Sequence, residues 1–82
     1  MKISVGNLST YATEKDLMQL FSAFGNVISA VIAYDSYNHR SRGMANVVME
    51  TESSAMDAIQ RLHNTFFMQK SLVVKAERSL TR

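Results

Sequence analysis

Arg42, Met44, Asn46 and Val48, at alternate positions, are the residues of this chain best suited to hold a ligand. Between and after them fall Gly43, Ala45, Val47 and Met49, so the stretch has the period of a strand with one apolar face and one mixed face. The mixed face lines up a cation, a thioether, an amide and a branched aliphatic group. A guanidinium takes phosphate or lies flat on a ring, an amide pairs with a donor–acceptor edge, and a thioether rests against an aromatic plane. Ahead of this strand, the stretch from Asp35 to Arg42 adds Tyr37, His39 and Arg40, an aromatic ring interleaved with cations. None of these places a nucleophile beside a base. The chain has no nucleophile elbow, no phosphate-cradling glycine loop and no metal-spaced cluster, so neither catalysis nor a cofactor is expected.

Such residues need a scaffold. Ile3 and Val5 alternate with Lys2, Ser4 and Gly6, a short first strand that breaks at Gly6-Asn7. Thr13 precedes Glu14-Lys15-Asp16, so its hydroxyl can cap a helix while Asp16 reaches back. Leu17, Leu20, Phe21 and Phe24 then make one apolar stripe along a helix over 14–24, and Gly25 is expected to end it in the left-handed conformation. Val27 to Tyr34, rich in Val and Ile, reads as the second strand, with Tyr34 toward the helices. Thr51 caps a second helix over 52–63 with Ala55, Ala58, Ile59 and Leu62 inward, and Asn64 takes the following position, where Asn tolerates positive φ. Phe67 and Met68 are expected to plug the core edge, Phe66 to be exposed, and Tyr11 to pack near the first helix. Ser71 to Ala76 is the fourth strand, with Leu72 and Val74 inward and Val73 and Lys75 outward.

Eighty-two residues make one small domain, and 46% hydrophobic content argues for a folded chain. The absence of cysteine rules out disulfides and thiolate metal sites, and His39 and His63 read as ordinary surface residues. No apolar run reaches membrane-spanning length and the first residues lack the apolar stretch of a secretory signal, which leads to the expectation of a cytoplasmic protein. The net charge is +2, but its placement is uneven: the two helices hold two basic and four acidic residues, and the remainder holds seven basic and three acidic. Basic strands and loops over acidic helices suit a sheet that meets an anion. Plain solubility charge accounts for the same pattern equally well.

Arg42 to Met49 resembles the eight-residue signature of the RNA-recognition motif (RRM), K/R-G-F/Y-G/A-F-V-x-F/Y. Arg42, Gly43, Ala45 and Val47 match, while Met44, Asn46 and Met49 stand where the signature has aromatics. Ile3 to Leu8 resembles the second signature, with Ser4 at its aromatic position. The resemblance covers essentially the whole chain and is closest to the small bacterial single-RRM proteins. It implies an α+β, ferredoxin-like βαββαβ fold, with a four-stranded antiparallel sheet, both helices on one face and the two signatures on central strands. Residues 1–77 are then the domain and 78–82 a short basic tail.

In that family the open sheet face binds single-stranded RNA by stacking two or three bases on signature rings, with cations nearby on phosphates. Each stacked base is worth roughly 1–3 kcal/mol, so the lost rings remove on the order of a hundredfold or more in affinity. The resemblance therefore implies single-stranded RNA, with single-stranded DNA a second candidate, held with weak or atypical stacking. Arg42, Arg40, Lys2, Lys75 and Arg78 are the expected phosphate contacts, and Met44, Asn46, Ser4 and Tyr37 the expected base contacts. The alternative is a degenerate member whose face, carrying a contiguous patch of Val31, Ala33, Val48 and Val73, docks a protein partner or a second copy of the chain.

Overall fold

Capping chemistry sets both helix starts where the spacing places them. In the computed structural model, which describes residues 1–37 and 41–77 and leaves the side chains of Ser41 and Arg42 undescribed, Thr13 is extended. Its hydroxyl accepts from the Asp16 N–H at 3.2 Å, and the Asp16 carboxylate accepts from the Thr13 N–H at 3.0 Å. That reciprocal pair satisfies two of the donors a helix start leaves open. Thr51 likewise accepts from the Ser54 N–H at 3.1 Å.

The elements run β1 (Lys2–Gly6), α1 (Glu14–Ser22), β2 (Val27–Tyr34), β3 (Ser41–Met49), α2 (Glu52–Leu62), β4 (Phe66–Phe67), β5 (Lys70–Ser71) and β6 (Val73–Ala76). Four of them form an antiparallel sheet in the order β2-β3-β1-β6, the βαββαβ arrangement expected. Ile3, Val5, Ile32, Ala45, Val47, Met49 and Val74 are buried with Leu17 and Phe21 of α1 and Ala55, Ala58 and Leu62 of α2 in one core. Fully burying each of the larger of these side chains contributes about 1.5–3 kcal/mol. The fully buried Ala55 and Ala58 allow α2 to lie close to the sheet.

Side chains from the helix layer also satisfy the outer strands. The Ile32 N–H of β2 donates to Glu14 Oε2 at 3.2 Å, and the Val74 N–H of β6 donates to His63 Nδ1 at 3.1 Å. Asn64 and Thr65 continue alongside β6, with the Asn64 N–H on the Leu72 carbonyl at 2.8 Å and the Leu72 N–H on the Thr65 carbonyl at 2.9 Å. His63 is the surface residue it reads as in sequence and is also a strand-edge acceptor. Both edges lose part of the backbone template for strand addition.

Several local expectations are corrected. The first helix closes at Ser22 with Ala23 in right-handed geometry, and Gly25 does not take positive φ. Gly25 is instead demanded by space, because a Cβ there would collide with the Ser54 side chain. The fourth strand is split, since Phe66–Phe67 and Lys70–Ser71 form a two-stranded hairpin before β6. Met68 and Gln69 make its turn with φ of 51° and 70°, so Met68 is an exposed turn residue and only Phe67 packs on the core. Asn64, by contrast, has the positive φ expected, 68°. Tyr11, expected to pack near the first helix, is 85% exposed.

Two stability changes of opposite sign are expected. Gly25→Ala overpacks the contact with Ser54 and should lower unfolding free energy by about 1–3 kcal/mol. Met68→Asn with Gln69→Gly puts turn-compatible residues where two L side chains sit at positive φ, and should raise it by about 1–2 kcal/mol. Urea denaturation of the parent and both variants checks each value.

Candidate nucleic-acid interface

Gly43 decides what the open face presents. Its φ is +75°, its carbonyl accepts the Leu8 N–H at 2.9 Å, and a Cβ on it would lie 3.0 Å from the Leu8 oxygen. Only a residue without a side chain meets both demands, a left-handed backbone and a close neighbour. The same stretch carries an irregularity: β2 advances from Ile32 to Tyr34 while β3 runs from Ala45 back to Ser41. Beyond it the central strands stay in register, with Ile3 opposite Val47 and Val5 opposite Ala45.

With that register, the residues between the core positions face away from the helices. Val31, Asn46, Ser4 and Lys75 stand side by side across all four strands. Ser29, Val48 and Lys2 form the row on one side of them. On the other side Gly6 pairs with Val73, and Met44 lies one step beyond the Val5–Ala45 pair. Met44 is 53% exposed, and Asn46 and Ser4 are half-buried and look outward. Among the described residues, no hydrogen bond or ion pair engages the side chains of Ser4, Asn46 or Lys75. Their polar atoms are therefore open to a ligand.

The register sorts the signature positions further. Met49 is fully buried in the core, so its position is not one at which a base can stack. The rings missing from the surface are those at Ser4, Met44 and Asn46. Nor do the valines form the one patch the sequence suggests: Val31 and Val73 lie on opposite edge strands, Val48 sits between Ser29 and Lys2, and Asn46 and Ser4 hold the centre.

Charge and aromatic groups are distributed unequally between the two ends of the sheet. At the end where β1 and β6 meet Glu77, Lys2 Nζ lies 3.7 Å from Glu77 Oε2, so one expected phosphate contact already has an anion. At the opposite end β2 finishes at Tyr34, and Tyr37 follows with its N–H on Asp35 Oδ1 at 2.7 Å and its side chain 97% exposed. Tyr11 and Lys70 belong to that end as well, where Asn7 Nδ2 donates to the Ser71 carbonyl at 2.7 Å. Arg40 and Arg78 lie outside the described residues, and for Arg42 only the backbone is described. Behind the sheet, Asp57 is paired with Arg61 at 2.9 Å.

Sequence reasoning assigned Tyr11 to packing near the first helix and gave Lys70 no role, yet both stand at this end of the sheet. The strand lengths held the missing signal, because four antiparallel strands of known order fix which loops share an end.

Comparison with known proteins follows the same pattern. The RNA recognition motif profile matches residues 3–73. RbpE of Nostoc sp., named as a candidate RNA-binding protein, is 37% identical over 78 residues, covering 95% of this chain and 79% of that protein. Transformer-2 protein homolog beta of Homo sapiens is 41% identical over 59 residues, which is 72% of this chain and 20% of that protein; the chain spans about a fifth of that relative's length. Among solved structures, the RNA binding protein PG1 superposes with a TM-score of 0.89 at 39% identity, over 100% of this chain and 96% of that one. A Sex-lethal protein/RNA complex superposes with a TM-score of 0.85 at 28% identity, over 90% of this chain and 46% of that one. On the profile match, the shared fold and the signature positions that carry its glycine and its core residues, the chain belongs to the RNA recognition motif family.

Proposed function

We propose that this chain is a single-stranded RNA-binding module that uses the open sheet face and the basic loop between β2 and β3, with polar contacts in place of most base stacking. The observation that carries the reading is the central row: Asn46 and Ser4 point outward with unengaged hydrogen-bonding groups, flanked by the ammonium of Lys75. An amide and a hydroxyl pair with base edges, which confers selectivity more than strength. Met44 beside them offers a polarizable surface for a base or ribose. Lys75, with Arg42, Arg40 and Arg78, supplies phosphate contacts, and Tyr37 adds an exposed ring on the loop. The relatives named for RNA and the RNA-bound structural neighbour support the same ligand.

Docking of a protein partner or a second copy on this face is the weaker reading. The valines are separated by a polar centre, whereas a protein-binding core is depleted in such groups unless they are paired. Strand addition at the sides is opposed by Glu14 and His63, which already bind outer backbone N–H groups.

Titration of labelled short single-stranded RNA at low and moderate salt tests the reading. The parent is expected to bind at low salt and to weaken steeply with salt, and Lys75→Gln to reduce the log–log salt slope by about 0.7. Asn46→Ala and Met44→Ala are expected to weaken binding several-fold. Absence of binding at low salt, or parent-like binding by all three variants, contradicts it. A second expectation follows from the Lys2–Glu77 pair: Glu77→Gln should strengthen binding at low salt, with the gain fading as ionic strength rises.

A further inference from the structure

The end of the sheet that gathers the tyrosines holds a cleft of about 470 Å³, open to solvent, between the turn at Ser9–Tyr11 and the hairpin turn at Met68–Lys70. Such a volume lies within the ~300–1,000 Å³ usual for small-ligand sites. Both walls are unusual in ways the fold does not require. On one side Tyr11 is 85% exposed, yet its backbone is held: its N–H donates to Ser9 Oγ at 3.1 Å, the Ala12 N–H donates to the Ser9 carbonyl at 3.1 Å, and Ser9 itself is buried. A large ring is therefore displayed to water on a rigid turn. On the other side Met68 and Gln69 both occupy positive φ, where a two-residue hairpin favours Asn-Gly. Strain kept without a packing return points to use. Lys70 completes the cleft, and among the described residues no acidic one lines it.

We infer that this cleft is a second nucleotide subsite, which takes an unpaired base of the bound RNA strand between the Tyr11 ring and the Met68 thioether, with the adjoining phosphate on Lys70. The inference rests on the reading of the sheet face as an RNA surface and extends it around one end of β1 and β6. Gly6 and Val73, paired at that end, give the strand a low passage from the Asn46–Ser4 row to the cleft, because Gly6 places no side chain in the way. A ring absent from the centre of the face is thereby supplied at its rim, and the site spans more nucleotides than the face alone. The lone cation suits a polyanion, and an aromatic opposite a thioether suits a flat, uncharged base.

The experiment measures affinity for single-stranded RNA oligonucleotides of increasing length, using the full chain and the variants Tyr11→Ala, Tyr11→Phe, Lys70→Gln and the turn pair Met68→Asn with Gln69→Gly. The parent is expected to gain affinity in a step when the oligonucleotide becomes long enough to reach the cleft. Tyr11→Ala is expected to lose that step, about 5- to 150-fold for one stacked base, while binding the shortest oligonucleotides like the parent. Tyr11→Phe should keep the step, and Lys70→Gln should lower the salt slope only for the longer oligonucleotides. The turn pair should bind the longer oligonucleotides more weakly although its fold is stabilised, which separates binding from folding. If the parent binds and Asn46→Ala weakens it while Tyr11→Ala and Lys70→Gln match the parent at every length, the subsite is overturned and the face reading stands. If the parent binds no RNA at low salt, both are overturned.

Discussion

The approach of Gly43 to Leu8 is the constraint on which the binding surface depends. It joins the start of β3 to the chain leaving β1, with a 2.9 Å hydrogen bond and no space for a side chain. Side chains alternate along a strand, so a slip of one residue here would exchange the two faces of β3. Asn46 and Met44 would turn toward the helices, and Val47 and Ala45 toward water. The contact works together with the core, because Val47 and Met49 are fully buried only in the observed register. A single glycine and a few apolar side chains thus determine that an amide, a hydroxyl and a thioether are what the sheet displays.

That surface distributes its chemistry in a way that affects how it can bind. Its centre offers directional but individually modest interactions, and a net hydrogen bond contributes only about 0.5–1.5 kcal/mol. Its rings are peripheral: Tyr34, Tyr37 and Tyr11 are all exposed at one end, whereas Phe21 is in the core. Its cations are also unequal, since Lys2 is shared with Glu77 and Lys75 is not. A ligand that uses all three kinds of group must lie across the central row and extend toward the tyrosine end. A flexible, unpaired polyanion with flat bases meets that description better than a rigid partner does.

Much of this was legible in the sequence, for physical reasons that also explain what was not. Strand and helix periods, the two threonine caps and the glycine of the Arg42–Met49 stretch are local signals, and they located the sheet, both helices and the outward position of Asn46 and Met44. Met49 shows that a motif position alone does not say which face a side chain occupies; the strand period does, placing it with Ala45 and Val47, and all three are buried. Gly25 was misread because its reason lies in Ser54, nearly thirty positions away in the chain. His63 is on the surface as its sequence suggests, but nothing nearby in the chain reveals that β6 will bring it a backbone N–H. The hairpin at Phe66–Ser71 was missed because its turn, Met68-Gln69, breaks the usual turn chemistry.

The central claim is that RNA meets the row Asn46–Ser4–Lys75 on the face turned away from the helices. Backbone amide chemical-shift mapping, with a short single-stranded RNA added stepwise to labelled protein, addresses it directly. The account predicts that the largest changes fall on β1, β3 and β6, at Ser4, Met44, Asn46 and Lys75, while exposed helix residues such as Met18 and Met56 stay fixed. Changes centred on the helices, or none at all at low salt, would contradict it.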